Sequence, residues 1–158
     1  MTANVHLIES WRLELLGAAY FEGIAQVAEE PNATTARLLA SVERKMASEL
    51  QDLLEQGGWD HAHVPDEAIE AALRKGKEAG WSGFVGSLAS VVAPAISLYL
   101  QLSKSDPKLG FIADRLIQHE QLLEVVSQLP AAVAQQRIRL FLDIDLAEPL
   151  GTPPTKRS

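Results

Sequence analysis

Apolar residues recur at helical spacing along almost the whole chain. Over residues 5–29, Ile8, Trp11, Leu15, Ala18 and Ala25 fall on one line and Leu13, Leu16, Tyr20, Ile24 and Val27 on a neighbouring one. This broad face predicts one long amphipathic helix. Glu22 lies on the first line, so its carboxylate points inward or along the helix seam, whereas Glu14 falls between faces and Glu9 is solvated. The run Glu29-Glu30-Pro31-Asn32 ends this helix, because proline cannot continue the hydrogen-bond ladder and restricts the residue before it. Asn32, Thr34 or Thr35 can cap a second helix running to about Gln56, where Gly57-Gly58 stops it. Leu39, Val42, Met46, Leu50 and Leu53 face its core side. Glu43 and Glu49 flank that stripe on either side of Met46, and a rotation of tens of degrees exchanges which of them is inward. The short loop between these two helices predicts an antiparallel hairpin.

Residues 57–65 form a loop in which His61 and His63, with only Asp60 and Asp66 nearby, read as solvated side chains rather than a metal clamp. Asp66 can cap a short helix from Glu67 to about Ala79, with Ala68, Ile69, Ala72 and Leu73 as a narrow stripe and Gly80 as its stop. From Trp81 to Leu102 there is no charged residue, a length that would just span a bilayer. Four serines, Gly83, Gly86 and Pro94 lower its hydrophobicity, and the other amphipathic segments need a helical partner. The segment therefore reads as the fully surrounded central helix of a bundle, kinked at Pro94. After the break at residues 103–107, Lys108 to Leu129 carries Ile112, Leu116, His119, Leu123 and Val126 on one stripe, so His119 sits in the middle of a buried face. Glu120 lies on its edge and Glu124 one turn further out. Residues 131–146 fit both a strand and a helix period; with no second strand to pair with, helix is the reading. The domain is then 1–147, and residues 148–158, rich in Pro, Thr and Lys, read as a disordered tail.

Composition narrows the picture in three places. A chain of 158 residues is long enough for one well-buried domain, and its wealth of Ala, Leu, Glu and Gln favours an all-α fold. The net charge is -7, and Lys and Arg are scattered, which opposes a nucleic-acid partner. There is no cysteine, which removes disulfides, thiolate metal sites and cysteine nucleophiles and is compatible with a cytoplasmic location. No basic segment followed by an apolar core opens the chain, so no export signal is read. Nucleophile-elbow and phosphate-loop patterns are also absent from the sequence.

Helix order and a few local runs resemble a known group. Trp11-Arg12-Leu13-Glu14-Leu15-Leu16-Gly17-Ala18-Ala19-Tyr20-Phe21-Glu22 resembles the first helix of small bacterial rubrerythrin-like proteins. Val42-Glu43-Arg44-Lys45-Met46 occupies the place of their second-helix acid, and His119-Glu120-Gln121-Leu122-Leu123 is similar to their last core helix. The resemblance covers residues 5–129 and implies a ferritin-like antiparallel four-helix bundle with a short crossover helix and an extra C-terminal helix. It also implies a carboxylate and histidine site for iron. The chain departs from the full di-iron pattern. Met46 stands at a histidine position, no acid lies between Glu78 and Asp106, and His119 and Glu120 are adjacent and so point about 100° apart. What the resemblance leaves is a reduced site of Glu22, Glu43 and His119, with Glu120 or Glu49, for a single iron or manganese ion.

Two functions follow. In one, a bundle that has lost most of the di-iron site acts as a non-catalytic module. It would bind a protein partner, a second copy in a homodimer or a small apolar ligand, with inward acids satisfied by pairs such as Glu22 with His119. In the other, the reduced site serves a metal-dependent oxidoreductase, with Tyr20 or Trp11 as a redox-active neighbour.

Overall fold

The computed structural model describes residues 3–59 and 63–143. Among these residues all regular structure is helical: α1 (Ala3–Val27), α2 (Asn32–Gln56), α3 (Asp66–Ser105), α4 (Gly110–Gln128) and α5 (Ala131–Leu142), with a 3-10 turn at Pro107–Leu109. The all-α class therefore holds. His61, Ile144, Leu146 and the tail 148–158 lie outside the described residues. The alternating segment is a helix as far as Leu142.

The helices close a ring. α1 lies along both α2 and α3, α4 packs on α3 and on α5, and α5 returns to α2. α2 and α4 touch only sparingly, and there Glu43 meets His119. The shared core holds Leu7, Trp11, Phe21, Ile24, Leu39, Met46, Leu50, Tyr99, Leu102, Ile112, Leu116 and Ile138. Burial of such side chains supplies most of the driving force, at about 25 cal/mol per Å² of apolar surface removed from water. α5 is tied at its carboxyl end, where free carbonyls need donors. Lys45 Nζ of α2 donates to Leu142 O at 2.6 Å, and Arg115 Nη2 of α4 donates to Phe141 O at 3.1 Å. The Arg115 guanidinium also lies 3.8 Å from the centre of the Phe141 ring, within cation–π range.

Several local expectations change. α2 begins at Asn32 with no side-chain cap from the residue before it; Glu30 instead accepts from Thr34 N and from Thr34 Oγ1. Asp66 is already inside α3, whose cap position is Pro65 with no side-chain bond. Pro94 keeps helical backbone dihedrals, and the non-helical backbone inside α3 is at Gly80 (φ 62°, ψ -173°). That conformation is nearly closed to residues with a Cβ, so Gly80 divides α3 into two arms that both rest on α1. The second arm is not fully surrounded. Phe84, Leu88, Val92, Tyr99 and Leu102 are buried, but Val85, Val91 and Leu100 are exposed. α3 is long and apolar enough to cross a membrane by length and composition, with 22% of its most apolar window buried.

The first arm meets α1 at a glycine crossing. A Cβ on Gly76 would lie 1.9 Å from Tyr20 O, and one on Gly23 would lie 2.1 Å from Leu73 O. The two backbones touch directly, so neither position can accept a side chain without moving an entire arm. Gly76→Ala is expected to lower unfolding stability by about 3 kcal/mol, at the upper end of overpacking costs. Gly86→Ala, where nothing lies within 4 Å of the added carbon, is expected to leave it unchanged or slightly raised. Urea unfolding of the two variants followed by circular dichroism makes the comparison, and equal midpoints would contradict the crossing.

Candidate metal centre

The centre of the ring is polar. α1 contributes Glu14, which sits in the stripe Leu7, Trp11, Glu14, Ala18, Phe21, all of it buried. α2 contributes Glu43 from the stripe Leu39, Glu43, Met46, Leu50. α4 contributes His119 from Ile112, Leu116, His119, Leu123, Val126, every member buried, and Glu120 beside it. α3 adds Tyr99. Exposure is 1% for Glu14, 5% for Glu43, 0% for His119 and 6% for Glu120. Ionisable groups are almost never buried this deeply unless they are paired or coordinate an ion.

The imidazole is held on both edges. His119 Nε2 lies 3.1 Å from Glu43 Oε1, and His119 Nδ1 lies 3.4 Å from Glu14 Oε2 and 3.9 Å from Glu120 Oε1. The Tyr99 hydroxyl donates to Glu14 Oε1 at 3.0 Å. Gly17 makes the fit possible, since a Cβ there would come within 2.7 Å of Glu43 Oε2. Behind the imidazole the Phe141 ring sits 6.2 Å from it, centre to centre, so α5 closes that side.

Mutual electrostatics set the protonation. Burial opposes a charge on His119, but the carboxylates of Glu14 and Glu43 outweigh it and hold the imidazole well above its usual range. Burial likewise opposes the Glu14 carboxylate, yet the His119 charge and hydrogen bonds from Glu43, His119 and Tyr99 keep it below the ordinary value. Glu43 goes the other way: burial and the neighbouring Glu14 charge push it well up. Burial, with the Glu14 charge, pushes Glu120 up to about 7. Burial, then the charges of Glu14, Glu120 and Glu43, raise the Tyr99 phenol.

One ligand atom each from Glu14, Glu43 and His119 can be chosen so that all lie within 4.8 Å of one another. Glu14 Oε2 and His119 Nδ1 meet each other as an ion pair at 3.4 Å, and Glu120 Oε2 is buried there without a hydrogen-bond partner. Two hard oxygens and an imidazole nitrogen suit a first-row divalent ion, and the unsatisfied Glu120 oxygen beside them supplies a further lone pair. The donor set therefore fits a single ion. When one ring nitrogen ligates, the other can keep its hydrogen bond to the opposite carboxylate, as metal-bound histidines generally do.

Of the residues expected from sequence, the structure brings together Glu43, His119 and Glu120. Glu22 is not among them: it lies at the surface, its side chain 44% exposed and ion-paired with Arg44. Its helical line leads away from the stripe defined by Trp11, Ala18 and Phe21, so the expected Glu22–His119 pair gives way to Glu14–His119. Glu49 lies outside the cluster too, half-buried and 4.0 Å from Lys45. Between the two α2 acids the inward one is Glu43. Glu14 is the residue that sequence reasoning missed, and its signal was the heptad spacing of Leu7, Trp11, Ala18 and Phe21 with one polar residue in the gap. The tyrosine at the site is Tyr99, while Tyr20 is half-buried against Phe21 and Phe84.

Metal-free stability should fall with rising pH. Glu120 keeps its proton in the folded state up to about 7 but loses it near 4.5 when unfolded, so the folded protein binds more protons between those values. This costs about 3 kcal/mol by pH 7. His119 acts in the same direction above about 6.5, where only the unfolded imidazole has lost its proton. Glu14 opposes them only in acid, its contribution fading as pH falls below 4.5. Urea midpoints of chelator-treated protein between pH 5 and 8 should therefore decline, and Glu120→Gln should flatten the part between 5 and 7; an unchanged slope in the variant would contradict the assignment. Comparison with known protein families, curated proteins and solved structures returns no match to this chain.

Proposed function

We propose that this protein is a ferritin-like helical bundle that holds one iron or manganese ion through Glu14, Glu43 and His119, with Glu120 beside them, and uses it in oxidoreductase chemistry. The observation that carries the reading is the convergence of three buried ligand atoms from three helices, with the buried Glu120 carboxyl beside them keeping one oxygen without a hydrogen bond. A bundle with no use for these groups would gain stability by replacing them with apolar side chains. Helix order supports the fold reading. α1, α2, the second arm of α3 and α4 all contribute to one centre, the first arm takes the place of a crossover helix, and α5 is an addition. When bound, such an ion supplies a Lewis acid and one-electron redox capacity.

The chain's own residues do the rest. Tyr99 fixes the orientation of Glu14 through its hydroxyl, and Gly17 leaves room for the Glu43 carboxylate. Phe141 and α5 keep water from the back of His119. A second reading has an observation of its own: Tyr99, Glu14, His119 and Glu43 already satisfy much of one another's hydrogen bonding. That favours a metal-free module in which the cluster is the polar floor of a binding pocket.

Metal titration separates the two. Tagless protein stripped with chelator should take up about one equivalent of Mn(II) or anaerobic Fe(II), and saturation at a hundredfold excess over Kd should stabilise it by about 2.7 kcal/mol. Glu14→Gln, Glu43→Gln and His119→Ala should each weaken uptake by roughly 100-fold, while Glu22→Gln and Glu49→Gln should not. Folded protein that takes up no ion under these conditions sinks the metal centre and leaves the pocket module. Gly17→Ala tests the site from outside the ligand set. The added methyl should displace the Glu43 carboxylate and weaken metal uptake by about tenfold with little change in helicity, and unaltered uptake would show that Glu43 is free to sit elsewhere.

A further inference from the structure

We infer that the cavity on α1 between the two arms of α3 is a binding site for an elongated, uncharged apolar molecule. Its inner end would lie against Glu14, Glu43 and Glu120. As a substrate of the metal centre this molecule rests on the function proposed above; as an occupant of the cavity it does not.

The cavity measures about 810 Å³, inside the range of roughly 300–1,000 Å³ typical of small-molecule sites. Its floor is polar and buried, and it shares Glu14, Glu43, Glu120 and Tyr99 with the candidate metal centre. Its walls are apolar. Leu13, Leu16 and Phe21 of α1 face Phe84, Leu88 and Leu98 of the second arm, and the alanines at 68, 71 and 72 of the first arm leave width between them. Away from the floor the lining offers few neutral hydrogen-bonding side chains, the hydroxyls of Tyr20, Ser87 and Ser90. A sugar or nucleotide entering here would leave most of its polar groups unpaired, at a cost of about 1–3 kcal/mol each.

Charge decides the rest. The lining carries four carboxylates, those of Glu9, Glu14, Glu43 and Glu120, and one cation, Lys75. Lys75 and Glu9 are exposed at the rim, so among the described residues no lysine or arginine lines the interior. An anionic head carried inward would meet three acidic side chains, the Glu14 charge among them, in a medium of low dielectric. A cationic head would have to compete with the His119 imidazole, which already lies 3.4 Å from Glu14 Oε2 and 3.1 Å from Glu43 Oε1. The molecule left is an apolar chain with an uncharged end.

The experiment uses the full chain and three ten-carbon probes, 1-decanol, decanoate and decylamine, below their aggregation limits, with binding read by native mass spectrometry and calorimetry at pH 7.5. The expected result is one decanol per chain, with decanoate and decylamine at least about tenfold weaker. Leu88→Trp, which fills the cavity from its buried wall, should weaken decanol by at least about tenfold and keep Mn(II) uptake. His119→Ala should do the reverse. Should Leu88→Trp fail to fold, Ala72→Trp on the first arm serves in its place. Folded protein that takes up Mn(II) but not decanol overturns this inference alone, and decanol binding without metal uptake overturns only the metal centre. Decanoate or decylamine binding as tightly as decanol, or decanol binding untouched by a folded cavity-filling variant, also overturns it.

Discussion

An imidazole with no solvent exposure, held between two carboxylates, is the constraint around which these helices are arranged. Taking any one of the three groups out of water alone would cost several kcal/mol, and each is tolerable only because the others are within reach. Because the three come from different helices, their mutual satisfaction fixes how α1, α2 and α4 are rotated about their own axes. Turning α1 by one residue would bring Leu13 or Leu15 to the place of Glu14 and leave His119 without that acid. The cluster thus specifies register within the ring, a role for which buried polar groups are well suited.

Other features of the fold serve that arrangement. α5 is short and has little core of its own, yet its last carbonyls draw Lys45 from α2 and Arg115 from α4 to a common point. Those bonds tether to α5 two helices that touch each other only sparingly and bring Phe141 over the back of the imidazole. Gly17 and the Gly23–Gly76 crossing act through missing atoms. The first lets a carboxylate lie against α1, and the second lets the first arm of α3 sit close enough to wall the cavity.

The sequence revealed the helices more readily than the inward acids, for a physical reason. The α4 stripe was legible because four of its five members are apolar, leaving His119 placed by its neighbours. In α1 the apolar residues form two overlapping lines with Glu14 between them, since an inward carboxylate is by nature a gap in a hydrophobic pattern. Glu22 was favoured because it completes such a line near two alanines, residues too small to show which way a helix faces. Tertiary packing also moved the break in α3. Pro94 sits in an exposed turn with helical backbone dihedrals, whereas Gly80 takes a backbone conformation that local pattern alone could only mark as a stop. Apolar side chains along residues 81–102 pointed to complete enclosure, but one ring of helices covers only one face of that arm.

Gly80 joins the two arms of α3 through a single residue, and the glycine crossing fastens only the first of them to α1. The cavity therefore has one wall pinned by backbone contact and another held by side-chain packing, notably Phe84 against Phe21 and Tyr20 of α1. In mechanical terms the second arm is a lever pivoted at Gly80, and Tyr99, about five turns along it, is the point where it is latched to Glu14. Any widening of the cavity by swinging that arm would draw the Tyr99 hydroxyl off the carboxylate, so the aperture of the pocket and the alignment of an acid at its floor are one coordinate.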